Sequence, residues 1–148
     1  MNHNAPERAS EPQNELRYIQ YDPDKENSYL PTIRDLISKD LSEPYSIYVY
    51  RYFLYQWGDL CYMVFISFLC WFYDCDCSLL HLKQAEDQAG NLIGVVVCKL
   101  EPHRGGPLRG YIAMLAVEKR HRGKGIATKL VCMAVDAMIA KGADEVRT

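Results

Sequence analysis

Apolar residues recur at helical spacing in two stretches of the chain and form short unbroken runs in two others. Leu30, Ile33, Leu36, Ile37 and Leu41 lie three or four apart within Tyr29–Leu41, which predicts an amphipathic helix. Ser28 is its candidate N-cap, and Pro31 falls in its first turn. Pro44 drives Glu43 towards extended backbone, so this helix ends before it. Ile126, Leu130, Val131, Ala134 and Met138 mark one face of a second helix, stopped by Gly142 after about Lys141. Asn91–Leu100, entered through the turn pair Gly90 and Asn91, and Gly110–Val117 are β-branched or apolar runs that predict buried strands. Tyr45–Trp57 is ambiguous: its length suits a helix, while its aromatic and β-branched content leans towards a strand. "DEVRT" begins a further strand, and the order of elements argues for an α/β domain missing its last part.

Composition narrows the class. With 148 residues, 49% of them hydrophobic, and a formal charge of −2, the chain is sized for one globular domain and carries no charge bias towards nucleic acid. Residues 1–16 are polar, contain proline and lack the apolar segment of a secretory signal, so they read as a disordered leader, and the default location is cytosolic or nuclear, with cytoplasmic the expectation. Without a signal, the six cysteines read as reduced thiols rather than a disulfide framework. The apolar run Leu60–Tyr73 has 14 residues, against the ~20 that a spanning helix needs. Cys70, Cys75, Cys77 and His81 depart from the usual zinc spacing, and no metal is expected there.

The stretch "KRHRGKGIATKL", Lys119–Leu130, holds the candidate chemistry. Gly123 and Gly125 ahead of a helix let backbone N–H groups approach an anion, the helix dipole adds partial positive charge, and Arg120, Arg122 and Lys124 reinforce it. The spacing matches neither a P-loop nor a dinucleotide fingerprint. A phosphate cradle and a solvated surface loop both fit it.

Arg120-x-x-Gly123-x-Gly125, directly after an apolar strand, resembles the pyrophosphate-binding motif of the GCN5-related acetyltransferases. "DLSEPYSIYVYRYF" (Asp40–Phe53), "GVVVCKLEPHR" (Gly94–Arg104) and the stretch Arg109–Ala127 resemble, more narrowly, NatC-type amino-terminal acetyltransferase catalytic subunits. The resemblance covers roughly Arg17–Tyr62 and Asp87–Val146. It implies a mixed, mainly antiparallel sheet flanked by helices, and acetyl transfer from acetyl-CoA to an N-terminal Met followed by a hydrophobic residue. It further implies that Arg122, Gly123, Lys124, Gly125, Ile126 and Ala127 cradle the CoA pyrophosphate. The backbone of Leu115, Ala116 and Val117 would pair with the pantetheine arm, and "SEPYSIY" (Ser42–Tyr48) would become the loop and second helix that form the peptide entrance, in place of a strand. Leu41, Glu43, Tyr45, Tyr48 and Tyr111 would face the peptide, with Tyr111 in the base system. From the residues alone, Tyr111 also reads as a buried strand aromatic, Glu43 as a solvated loop acid, and Tyr45 and Tyr48 as core packing. The implied partners are nascent protein N-termini, a large scaffold subunit, a small Sm-like subunit and, through these, the ribosome. No direct nucleic-acid or membrane contact and no metal is implied.

Two features depart from that pattern. The resemblance implies a strand continuing past "DEV" into an "LETE"-like segment whose glutamate is the general base, so a second expectation is an inactive chain that retains only CoA or subunit binding. A lysine or small-amine acetyltransferase fits less well, because "SEPYSIYVYRYF" belongs to the peptide-terminus branch. Val64–Gln84 is an insert where the family has a short strand and tight turn. Valine codons begin with GT and glutamine is encoded by CAG, so this stretch reads as translated intron, and Val146–Arg147 as a read-through splice donor. Transcripts omitting the codons of Val64–Gln84 and continuing past Val146 are the expected product of the locus. A dominant message in the 148-residue frame would contradict that.

Overall fold

The computed structural model describes residues 15–41, 43–67 and 90–148. Its elements are β1 (Glu15–Gln20), α1 (Glu26–Ser38), α2 (Ile47–Trp57), β2 (Tyr62–Ser67), β3 (Asn91–Pro102), β4 (Leu108–Val117), α3 (Ile126–Ala140) and β5 (Glu145–Arg147). They build a five-stranded sheet in sequence order, antiparallel except for the parallel β4–β5 pair. Helices α1 and α2 cover one face and α3 the other, the mixed α/β fold that the resemblance implied.

Each face has its own apolar cluster. Ile33, Leu36 and Ile37 of α1 and Tyr50 and Leu54 of α2 pack on Met63, Phe65, Val95 and Val97. On the other face Ile126, Leu130, Ala134 and Met138 of α3 pack on Val64, Ile93, Val96 and Ile112. Alternation along each strand supplies both clusters, which is why these strands read as continuous apolar runs.

Three expectations change. Tyr45–Trp57 forms a helix from Ile47, as the resemblance implied and against the strand that propensity alone favours, because burying Tyr50 and Leu54 four apart seats one stripe against the sheet. Strand pleating would have put Tyr48, Tyr50, Tyr52 and Leu54 on one face, yet Tyr48 and Tyr52 are exposed. Helix α1 starts at Glu26, before Tyr29. Its entry is a 3-10 turn over Pro23–Lys25, where Asp22 accepts from the Asp24 N–H at 3.1 Å and the proline takes a position that needs no donor. Ser28 is therefore inside the helix rather than its cap. Glu15 and Leu16, counted with the leader, begin β1, and residues 1–14 lie outside the described residues.

The beginning of the Val64–Gln84 segment is ordinary strand. Val64, Phe65 and Ile66 are buried in β2 between β1 and β3. Residues 68–89, with Cys70, Cys75, Cys77 and His81, lie outside the described residues. Of the remaining cysteines, Cys61 and Cys98 are buried free thiols and Cys132 is exposed. Burial pushes the Cys98 thiol up to about 12 and raises Cys61 as well, so neither ionises near neutrality.

Gly94 sets the distance between α3 and the sheet. A Cβ there would meet Val64 Cγ1 at 2.7 Å and the side chains of Leu130 and Ile126 at 3.1 and 3.2 Å. Gly94→Val overpacks this contact and is expected to cost about 1–3 kcal/mol, read as a lower urea midpoint. An unchanged midpoint would show that the start of α3 is not held this close.

Candidate cofactor and peptide site

Strand β4 changes character halfway along. Val97 stands opposite Met114 and Cys98 opposite Ile112, so Ala113 is an extra residue, a β-bulge. Before it, Ile112 faces α3; after it, Met114 and Ala116 face α1 and α2, and Val117 faces α3. The bulge thus exchanges the two faces without breaking the strand.

Strand β5 pairs only with Arg109, Gly110 and Tyr111, all before the bulge. At the other end, the Glu118 N–H donates to Ile93 O at 2.8 Å, and Val117 O, pointing the opposite way, accepts from Arg122 Nε at 2.8 Å. Alternation along the strand then turns the backbone groups of Ala116 towards β3 and those of Leu115 and Val117 to the outer edge. This corrects the expectation for Ala116, whose backbone is used within the sheet. No described strand covers that outer edge at Leu115–Val117.

The edge leads into the glycine loop. After a 3-10 turn at Lys119–His121, Gly123 and Gly125 adopt φ of +75° and +76°, and α3 begins at Ile126 with no side-chain cap. Neither glycine would meet an atom within 4 Å through an added Cβ, so glycine is required there for backbone conformation rather than for space. Ile126 is 2% exposed and anchors the start of α3 in the core, leaving the first-turn N–H groups directed along the helix axis towards the loop. Lys124 is exposed and makes no ion pair among the described residues. Arg120 pairs with Glu118, and that guanidinium holds the Glu118 carboxyl below its usual range.

Arg122 is committed on both sides. Its Nε holds Val117 O, and its Nη2 forms an ion pair with Asp40 just past the end of α1. This clasp brings the loop after α1, with Leu41 and Glu43, beside the glycine loop. Leu41 is half-buried against the α1–α2 cluster, and Glu43 is exposed and unpaired among the described residues. Tyr45 is 44% exposed and meets Tyr50 edge-on with ring centroids 6.2 Å apart. Tyr48 is 76% exposed on the solvent face of α2, with Tyr52 and Tyr55 beyond it. Neither Tyr45 nor Tyr48 is core packing. Tyr111 is 39% exposed, its hydroxyl forms no hydrogen bond among the described residues, and it shares a face with Ala113. Asp40 was not anticipated as a site residue; the only sequence sign was its position at the end of an amphipathic helix.

This fold and this loop define the class: the chain belongs to the acetyltransferase (GNAT) family, whose model matches residues 30–148. Within it, the chain is 45% identical over 120 residues to N-alpha-acetyltransferase 30 of Schizosaccharomyces pombe, covering 81% of this chain and 65% of that one. It is 47% identical over 118 residues to N-alpha-acetyltransferase 30 of Saccharomyces cerevisiae, covering 78% of this chain and 56% of the relative. A chain in a solved NatC complex bound to Gag peptide and CoA is 44% identical, with a TM-score of 0.69 and coverage of 89% of this chain and 72% of that one. The chain thus spans less than two thirds of these two curated relatives.

The Arg122–Asp40 pair is about half-exposed, with side chains 46% and 35% accessible, so it contributes at most about 1 kcal/mol. Asp40→Ala is expected to speed amide exchange across residues 119–125 by up to about fivefold, measured by hydrogen–deuterium exchange. Unchanged exchange would mean that the backbone alone holds the loop.

Proposed function

We propose that this chain is a NatC-type amino-terminal acetyltransferase catalytic subunit, transferring acetyl from acetyl-CoA to the N-terminal Met of proteins with a hydrophobic second residue. The observation that carries the reading is the continuity of the outer edge of β4 with the glycine loop. An extended polar arm can pair with Leu115 and with the Val117 N–H, Val117 O being held by Arg122, and a diphosphate at its end meets the N–H groups of the loop and of α3. The family membership and the similarity to a chain of a NatC complex support the same reading.

In this account Gly123, Lys124, Gly125, Ile126 and Ala127 hold the pyrophosphate through backbone N–H groups, with Lys124 adding charge. Arg122 shapes the loop by holding Val117 O rather than by reaching outward. Bound acetyl-CoA supplies the thioester that an amine attacks. The amine must be neutral to act as a nucleophile; Tyr111, half-exposed beside the bulge, takes part in passing the ammonium proton through water to solvent, and the C–S bond breaks as the amide forms, the CoA thiolate leaving to be protonated in turn. Glu43 receives the peptide backbone or amine, and Leu41, Tyr45 and Tyr48 flank the first side chains.

A scaffold subunit and a small Sm-like subunit complete the assembly on this reading, with nascent chains as substrates, ribosome contact through those subunits and a cytoplasmic location. The exposed tyrosines Tyr52 and Tyr55 along α2 support a protein partner. No helix among the described residues is long and apolar enough to cross a membrane.

Replacing Arg122 by Ala and Gly125 by Val together is expected to weaken CoA binding several-fold in calorimetry, because a side chain at φ +76° is strained and the clasp is lost. Unchanged affinity would refute the cradle. Acetylation of a Met-Leu peptide by the purified chain separates a working enzyme from a chain that binds CoA without turnover.

A further inference from the structure

Around Tyr111, charges alternate across three strands. Lys99 of β3 stands directly opposite Tyr111, and Glu101 opposite Arg109. On the other side, Arg147 and Glu145 of β5 oppose the same two β4 residues. Lys99 forms an ion pair with Glu101, and Arg109 with Glu145. Arg147 lies 3.5 Å from Glu145. Lys99 Nζ is 5.8 Å from the centroid of the Tyr111 ring. Lys99, Glu101, Arg109 and Tyr111 border one cavity of about 200 Å³.

Tyr111 is 39% exposed, and its hydroxyl has no hydrogen-bond partner among the described residues. A strand aromatic has two common χ1 rotamers, and a cation held against one face of the ring favours one of them. Lys99 is suited to this because Glu101 fixes its ammonium and only 24% of its side chain is accessible. Arg147, by contrast, is 65% accessible and turned to Glu145.

We infer that Lys99, anchored by Glu101, is a positioning residue that sets the Tyr111 ring and so the place of its hydroxyl. The inference rests on the proposed role of Tyr111 in proton transfer. Lys99→Met is expected to lower kcat on a Met-Leu peptide about two- to fivefold with KM unchanged, and Lys99→Arg to restore it. In a Tyr111→Phe background, Lys99→Met should cost nothing further, because the hydroxyl it positions is gone. An equal loss in both backgrounds, or failure of Lys99→Arg to rescue, overturns the inference. If Tyr111→Phe leaves kcat unchanged, the role of Tyr111 fails instead. Three-bond χ1 couplings of labelled Tyr111 decide the positioning independently of turnover. One rotamer in the parent chain and averaging in a folded Lys99→Met variant support it; identical couplings overturn it.

Discussion

One extra residue in β4 organises this molecule. Ala113, unpaired against β3, makes the strand trade faces, so that Ile112 serves the α3 core while Met114 and Ala116 serve the α1–α2 core. Both halves of the strand stay paired to β3, which keeps the sheet continuous. Strand β5, however, accompanies only the half before the bulge, and the outer edge of the second half presents backbone groups at Leu115 and Val117. Exposed sheet edges are usually covered, charged or kept short. Here the edge runs instead into a loop whose backbone N–H groups and helix terminus favour an anion.

That arrangement depends on contacts at both ends. Gly94 lets α3 settle against β2 and β3, and Ile126 pins its first turn, so the helix terminus has a fixed place relative to the strand. Arg122 closes the other side, joining Val117 O to Asp40 and bringing the loop after α1 alongside. The Arg122 guanidinium is thereby spent on structure, and the anion field comes from the backbone, the helix dipole and Lys124. On the proposed reading, loop conformation and binding chemistry are carried by different parts of one short segment.

Much of this was legible in the sequence, for identifiable reasons. The periodicity of Ile126, Leu130, Ala134 and Met138 and the two glycines ahead of them specify α3 and its loop locally, and the structure agrees. The apolar runs Asn91–Leu100 and Gly110–Val117 mark β3 and β4 as strands, whereas their pairing with each other is seen only in the structure. Propensity alone leans Tyr45–Trp57 towards a strand because aromatic residues favour strands locally, whereas the helix that the resemblance implied is fixed by tertiary packing. The bulge left no trace, since "GYIAMLAV" is apolar throughout and a strand buried on both faces hides its parity. Because that parity is hidden, the sequence does not show that Ala116 turns its backbone groups to β3. Lys99 and Asp40 act across strands or between loops, and residue type alone carries no sign of such pairings.

The central claim is that the outer edge of β4 and the glycine loop form one continuous site for CoA. Amide chemical shifts of the labelled chain, followed while CoA is added, test it most directly. The account predicts saturable changes at Leu115, Val117, Gly123, Gly125 and Ile126, with β1 and the exposed face of α2 unaffected. Changes confined to the loop, leaving Leu115 and Val117 still, would contradict the continuity of edge and loop. Changes centred elsewhere would contradict the site itself.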